Sequence, residues 1–176
     1  MRALVVYESM LGNTEEIAQI IAEGLATDMV VQAVEVGIAP SAPTVDLLVV
    51  GAPTHAFGLS RPSTRSSAAA EAARTGRAVV SRRFGIREWL AALRPDGVRM
   101  AAAFDTRVRK PRLPGSAARA ALRRLRRLGI SCPEPAMSFY VETAVGPLSA
   151  GERDRARRWA EMLAKALLAA NAPSRR

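Results

Sequence analysis

The stretch ESMLGNT, residues 8–14, lies between the apolar run ALVVY (3–7) and the helical pattern EEIAQIIAEGL (15–25). Its polar groups are mostly hydroxyls, an amide and a glycine. A turn of this kind ends in a row of unpaired backbone N–H groups at the start of a helix, where they can bind an anion. The stretch therefore predicts a strand, an anion-binding turn and a helix in succession.

The helix after this turn is predicted to have one apolar face. Its apolar positions are Ile17, Ile20, Ile21 and Leu25. Asn13 is predicted as the residue that caps the helix, and Glu16 lies three positions later, as a capping box requires. This spacing predicts a helix over residues 14–26.

The rest of the chain alternates between strand-like and helical patterns. The predicted strands are 3–7, 30–36, 45–51, 98–104 and 136–141. The other predicted helices are 63–74, 86–93, 116–128 and 150–170. Most of the strands are continuously apolar, as strands buried on both faces are. The order predicts an α/β fold with an open parallel sheet, whose ligand binds beyond the carboxyl ends of the strands.

Length and composition predict a single domain over residues 1–176. With 49% apolar residues the chain can form one hydrophobic core, and it is too short to form two of ordinary size. The start lacks a small-residue cleavage site, and the apolar C-terminal stretch is short and contains Lys165, so we expect no membrane span and a cytoplasmic protein. The chain has one cysteine, Cys132, and one histidine, His55, which disfavours a metal site built from these residue types.

Charge is distributed unevenly along the chain. Residues 1–60 contain one cation, Arg2, and seven acids, whereas the whole chain has a net charge of +10. The basic part is suited to an acidic protein, an anionic lipid or nucleic acid, unless arginine is simply the common surface residue. Aromatic residues make up 5% of the chain and no nucleic-acid-binding motif is present, which disfavours nucleic acid.

The turn at 8–14 lacks both G-x-x-x-x-G-K-[ST] and G-x-G-x-x-G, which disfavours a triphosphate or a dinucleotide. The hydroxyls of Ser9 and Thr14 and the amides of residues 11–14 are predicted to converge on one monoester phosphate. An ordinary strand-to-helix turn is the alternative. The absence of a cation in the turn suits a phosphate that stays bound.

Two more loops are expected at the same edge of the sheet. GAPTHAFGLSRPSTR (51–65) carries His55 and Phe57, whose rings are predicted to cover a flat ligand unless Phe57 packs on the sheet. AAAFDTRVRKPRLPGS (101–116) offers Phe104, Asp105 and Thr106 as a second wall. An acid/base role for the lone histidine is disfavoured.

In three segments, SMLGNT, GAPTHAFG and AAFDTR, the sequence resembles the flavodoxin family. The resemblance implies a flavodoxin-like three-layer sandwich, a five-stranded parallel sheet in the order 2-1-3-4-5, and FMN as cofactor. It implies that residues 9–14 bind the phosphate and that the later loops flank the ring. The candidate FMN-binding residues are Ser9, Met10, Leu11, Gly12, Asn13, Thr14, Pro53, Thr54, His55, Ala56, Phe57, Gly58, Phe104, Asp105, Thr106 and Arg107.

The function expected from this resemblance is that of an FMN-binding redox protein, either an electron carrier or a small flavin-dependent reductase of the quinone type. Its partner would be a redox protein, acidic in character, or a small organic acceptor such as a quinone. Two alternatives remain open: a flavin-free binding module with a flavodoxin-like fold, and a basic nucleic-acid-binding protein. Receiver domains and hydrolases are disfavoured, because the paired acids and the G-x-S-x-G motif are missing.

Several features depart from typical flavodoxins. Trp89 and Trp159 fall in predicted helices, and residues 59–87 form an arginine-rich insertion, interpreted as a cover, a docking segment or a solvated loop. Gly58 is predicted at the positive-φ position of a type II turn. The cations Arg107, Arg109, Lys110 and Arg112 predict a less reducing flavin than in acidic flavodoxins.

Overall fold

The computed structural model describes residues 1–55, 57–74, 76, 78–110 and 114–171. The strands within these ranges are β1 (Arg2–Tyr7), β2 (Val30–Glu35), β3 (Val45–Pro53), β4 (Val98–Val108) and β5 (Met137–Val141). The helices are α1 (Asn13–Leu25), α2 (Pro62–Arg74), α3 (Ile86–Ala92), α4 (Ala117–Arg127) and α5 (Glu152–Asn171).

All five strands form one parallel sheet in the order β2-β1-β3-β4-β5. This confirms the predicted flavodoxin-like α/β fold and its strand order. Because β3 pairs with β1 on one side and β4 on the other, the carboxyl ends of these three strands lie next to each other. The segments that follow them therefore meet at one edge of the sheet, where open α/β sheets bind ligands.

The sheet is covered on both faces by helices. On one face α1 and α5 pack over a core that includes the rings of Phe104, Phe139 and Trp159, whose centroids lie 5.9–6.1 Å apart in edge-to-face pairs. On the other face α3 and α4 bury Trp89, Leu90 and Leu125 against the sheet. Helix α2 buries only Ala72 of its own residues. None of the described helices has the length and apolarity needed to cross a membrane.

The structure differs from the predicted elements mainly in β4. This strand continues four residues beyond the predicted end at 104, because Asp105 and Thr106 pair with β3 while Arg107 and Val108 pair with β5. The residues expected in a loop are therefore the end of a strand.

The start of α1 also differs from its prediction. Gly12, with φ +93°, occupies the cap position, and Asn13 is the first helical residue. The Asn13 side-chain amide donates to the Ala144 carbonyl at 3.1 Å, and Glu16 pairs with Arg153. The predicted capping box is therefore wrong, because both side chains find partners in the C-terminal part of the chain.

Gly51 in β3 gives a test of the packing against Phe104. A Cβ at Gly51 would overlap the buried Phe104 ring. We expect Gly51→Ala to lower the free energy of unfolding by about 1–3 kcal/mol. Gly58→Ala is the control, because no atom lies within 4 Å of its Cβ position and its φ is not positive. Urea unfolding measures both; equal midpoints for the two variants would contradict this packing.

Candidate functional site

A cleft of about 270 Å³ lies at the carboxyl ends of β1, β3 and β4. The structure brings together at this cleft many of the residues predicted for the site. Those that line it are Ser9, Met10, Leu11, Asn13, Thr14, Pro53, Thr54, His55, Thr106 and Arg107. Helix α2 adds Ala68 and Glu71, which were not predicted. Ala56, also a candidate, lies outside the described residues.

The turn before α1 presents unpaired backbone donors. The left-handed conformation of Gly12 allows its N–H to donate to the Ser9 hydroxyl at 3.1 Å, while its carbonyl accepts from Glu16 N at 2.9 Å. Within the described parts of the chain, the N–H groups of Leu11, Asn13 and Thr14 donate no hydrogen bond. Since these residues line the cleft, the turn offers the donors that an anion at a helix start uses.

Residues 80–81 hold this turn from outside. The backbone N–H of Ser9 donates to Ser81 Oγ at 2.9 Å, and Ser81 N donates back to the Ser9 carbonyl at 2.8 Å. Val80 N donates to the Met10 carbonyl at 3.2 Å. The arginine-rich segment 59–87 therefore supports the turn. The sequence carries no signal for this contact, because it joins residues about 70 positions apart.

Threonine hydroxyls connect the three strand ends. Thr14 Oγ1 and Thr106 Oγ1 lie 2.7 Å apart in a buried hydrogen bond that joins α1 to β4. Thr54 Oγ1 donates to Asp105 Oδ2 at 2.9 Å and accepts from Ala117 N at 3.0 Å, which joins the end of β3 to α4. These bonds fix the relative position of the segments that line the cleft.

Phe104 and Asp105 do not line the cleft. Because β4 continues as a strand, successive side chains point to opposite faces of the sheet. Phe104 is fully buried in the core against Trp159. Asp105 is also fully buried, and its Oδ2 accepts from Ser116 Oγ at 2.5 Å and Ala118 N at 3.0 Å at the start of α4. The prediction that these two residues form a wall of the site is therefore wrong.

The segment after β3 makes a tight turn. His55 N donates to the Gly58 carbonyl and Gly58 N to the His55 carbonyl, both at 2.9 Å. The residue with a positive φ, +76°, is Phe57. The prediction that Gly58 occupies the positive-φ position of the turn is therefore wrong. Phe57 is 57% exposed, so its ring does not pack on the sheet, and neither it nor Gly58 lines the cleft.

The charges that line the cleft are few. Burial, with a smaller contribution from Arg65, lowers the pKa of His55, so its imidazole is neutral at pH 7. Arg107 donates to the Gly115 carbonyl at 2.7 Å, and Glu71 approaches from α2. No group of three or more His, Cys, Asp or Glu side chains among the described residues is placed to hold a metal ion.

A buried acid at the end of β1 fastens the insertion to the sheet. Glu8 is fully buried and its Oε2 accepts from Ile86 N at 2.9 Å. Arg65 of α2 donates to Ser60 Oγ at 2.9 Å and to both carboxylate oxygens of Glu88 at 3.2 Å. Helix α2 of the insertion is therefore anchored by an ion pair between Arg65 and Glu88.

Comparison with known proteins agrees with this arrangement. Residues 5–82, which include the turn and β3, match the sequence profile of the family described as Flavodoxin. Among solved structures, Flavodoxin 2 from Bacillus cereus is similar at 20% identity and TM-score 0.66, with 94% of this chain and 99% of that chain covered. A flavodoxin from the domain Archaea is similar at 18% identity and TM-score 0.63, with 96% and 99% covered. No curated protein matches the chain in sequence.

The profile match over residues 5–82 and the order of the strands together define the class of fold, which is flavodoxin-like.

The buried Glu8 predicts a specific pH dependence. Burial raises the pKa of Glu8, against the lowering effect of its bonds to Ser60 and Ile86 and of Arg65. A carboxyl whose pKa is raised by folding stabilises the protein below its unfolded pKa and loses that contribution as pH rises through the folded pKa. The glutamine side chain of the Glu8→Gln variant stays neutral. We therefore expect the free energy of unfolding of this variant, relative to that of wild type, to increase between pH 5 and pH 8.

Urea unfolding at the two pH values measures this difference. Glu142→Gln is the control, because Glu142 is exposed. If the gap between wild type and Glu8→Gln is the same at both pH values, Glu8 is ionised without penalty and the assignment fails.

Proposed function

We propose that this protein binds FMN in the cleft and transfers electrons through it. The observation that carries the proposal is the set of unpaired N–H groups of Leu11, Asn13 and Thr14 beside the cleft. When bound, FMN would supply the electron-transfer chemistry through its isoalloxazine ring. The protein would supply binding, orientation and electrostatics.

The residues present fit this cofactor. The donors at the start of α1, together with the helix dipole, favour a phosphate, and the turn contains no cation to assist its transfer. Thr54 and His55 from the β3 side and Arg107 and Val108 from β4 would flank the ring. Helix α2 contributes Ala68 and Glu71 to the lining.

The neutral His55 can hydrogen-bond to a ligand without adding charge. Arg107 is a permanent cation in the lining, and it favours whichever state of a bound ligand is more negative. The polarity of the cleft is thus set by a neutral imidazole and a guanidinium, together with the Glu71 carboxylate of α2.

The acceptor that we favour is a small organic molecule such as a quinone, which makes the protein a small flavin-dependent reductase. A second cavity of about 460 Å³, between α2 and residues 78–83, shares Met10 with the cleft and supports this choice. An electron carrier that docks on an acidic redox protein is the second candidate, and the exposed Arg109 and Lys110 beside the cleft favour it. Arg112 lies outside the described residues. The cytoplasmic location stays a prediction.

Absorption spectra and an FMN titration test the proposal. Purified protein should show the bands of oxidised flavin, or, if flavin-free, should quench FMN fluorescence with saturation at one FMN per chain. The absence of both would favour a flavin-free binding module. Anaerobic oxidation of the reduced protein by a quinone with multiple turnovers would separate a reductase from a carrier.

Gly12 is the residue whose substitution should affect FMN binding most directly. A β-branched side chain at φ +93° forces the backbone of the turn to change, which moves the unpaired N–H groups. We expect Gly12→Val to weaken FMN binding at least about tenfold, equivalent to about 1.4 kcal/mol. Fluorescence titration measures the affinity.

The matched control is Gly129→Val. Gly129 also has a positive φ, +82°, and no atom within 4 Å of its Cβ position, but it lies after α4, outside the lining of the cleft. It should lose stability while keeping FMN affinity. A folded Gly12→Val variant with wild-type affinity would refute the phosphate assignment.

Arg107 should raise the reduction potential, because a cation stabilises the additional negative charge of reduced flavin. We expect Arg107→Ala to lower the midpoint potential by roughly 10–60 mV at low salt, and by less at high salt. Arg99→Ala is the control, because Arg99 lies on the same strand near its opposite end. Redox titration compares the three proteins; an unchanged potential in Arg107→Ala would show that this side chain does not act on the flavin.

A further inference from the structure

A smaller cavity adjoins the cleft at the ends of β4 and β5. Its volume is about 240 Å³, and it shares Arg107 and Val108 with the cleft. Arg109, which directly follows β4, and Arg119 from α4 line it, together with Tyr140 from β5. Sites for drug-sized ligands usually measure about 300–1,000 Å³, so this cavity suits an acidic group with a short attachment and not a whole cofactor.

The lining carries positive charge and no acidic residue. The guanidinium of Arg109 lies over the ring of Tyr140, 5.8 Å from its centroid, so this described contact leaves its charge unneutralised. Arg119 is exposed at the first turn of α4. Neither Arg109 nor Arg119 takes part in an ion pair among the described residues.

The two nearby buried carboxylates are engaged elsewhere. Asp105 accepts through Oδ2 from Thr54, Ser116 and Ala118. Glu152 accepts from Tyr140 N at 3.0 Å and pairs with Arg155 at 3.1 Å. Like charges held close together repel each other, and an anion between them would relieve that repulsion.

The start of α4 does not supply the donors of this site. Ala117 N donates to Thr54 Oγ1, Ala118 N to Asp105 Oδ2 and Arg119 N to Ser116 Oγ. These backbone donors are therefore occupied. The attraction for an anion comes from the arginine side chains alone.

We infer that Arg109 and Arg119 form a binding site for the carboxylate or phosphate group of a small organic anion. Guanidinium groups pair with both kinds of group through two parallel N–H···O bonds. Because the cavity opens beside Arg107 and Val108, the rest of the bound molecule would extend toward the cleft. This makes the acceptor of the reductase an anionic molecule, a step that rests on the proposed function.

Calorimetric titration of the full chain at low ionic strength tests the site, with inorganic phosphate and citrate as probes. We expect citrate to bind saturably at one anion per chain, and phosphate to bind at this site as well as at the turn before α1. Tighter binding of citrate than of phosphate at equal ionic strength would indicate a carboxylate-bearing ligand, and the reverse order a phosphorylated one. Absence of saturable binding for both probes would overturn the inference.

Variants locate the binding. Arg109→Ala/Arg119→Ala should weaken it at least tenfold, and Arg109→Lys/Arg119→Lys, which keeps the charge but not the paired donors, should lie between this variant and wild type. Arg123→Ala/Arg127→Ala is the matched control, because both arginines are exposed on α4 outside the cavity. It should change the affinity less than twofold. Equal losses in the two alanine pairs would overturn the site, because general surface charge would then explain the binding.

A kinetic experiment tests the role of the site in electron transfer. Photoreduced FMN-loaded protein is mixed anaerobically with 1,2-naphthoquinone-4-sulfonate or with uncharged 1,2-naphthoquinone, each of which takes two electrons and two protons to become the corresponding hydroquinone. In the Arg109→Ala/Arg119→Ala variant, the rate of oxidation of the reduced protein by the sulfonate should fall at least fivefold. The rate with the uncharged quinone should fall less than twofold. Equal slowing would overturn the substrate role. Calorimetry does not require FMN, so a protein that binds the anions but no FMN would refute only the proposed function.

Discussion

Parallel pairing of β3 with both β1 and β4 is the constraint on which the rest of the structure depends. It brings three strand ends to one edge of the sheet, where each chain segment must turn away and where backbone donors are left unpaired. The hydroxyl bonds between Thr14 and Thr106 and between Thr54 and Asp105 then fix the spacing of these segments. The cleft is a consequence of the strand order more than of any single side chain.

The sequence predicted the features that depend on local pattern. Apolar runs and helical periodicity located the strands and helices, and the glycine and hydroxyl residues of 8–14 located the turn. The errors arose where distant pairing decides the outcome. Phe104 and Asp105 were predicted to form a wall of the site, because the pairing with β3 and β5 that continues β4 to Val108 is invisible in their own segment. The positive φ at Phe57 likewise depends on the fold and not on residue preference.

The arginine-rich insertion is a second case in which contacts between distant residues decide the structure and the local sequence does not reveal them. Its composition suggested a cover, a docking segment or a solvated loop, and composition alone could not choose among them. In the structure, Arg65 pairs with Glu88 beside the buried Glu8, and α2 lines the cleft with Ala68 and Glu71. Its arginines thus differ in role according to which acids the fold brings near them. Basic composition over a segment therefore gave no reliable measure of its exposure.

The reciprocal hydrogen bonds between Ser9 and Ser81 have a thermodynamic consequence. If residues 80–81 detach, the turn loses its support, so opening of the insertion and release of a ligand from the turn must be linked events. Suppose that opening of the insertion weakens the binding of a ligand at the turn by a given factor. By reciprocity, the bound ligand then lowers the equilibrium constant for opening by the same factor. Occupancy of the turn would then appear as slower hydrogen exchange at the amides of Val80 and Ser81, well outside the ligand's own contacts.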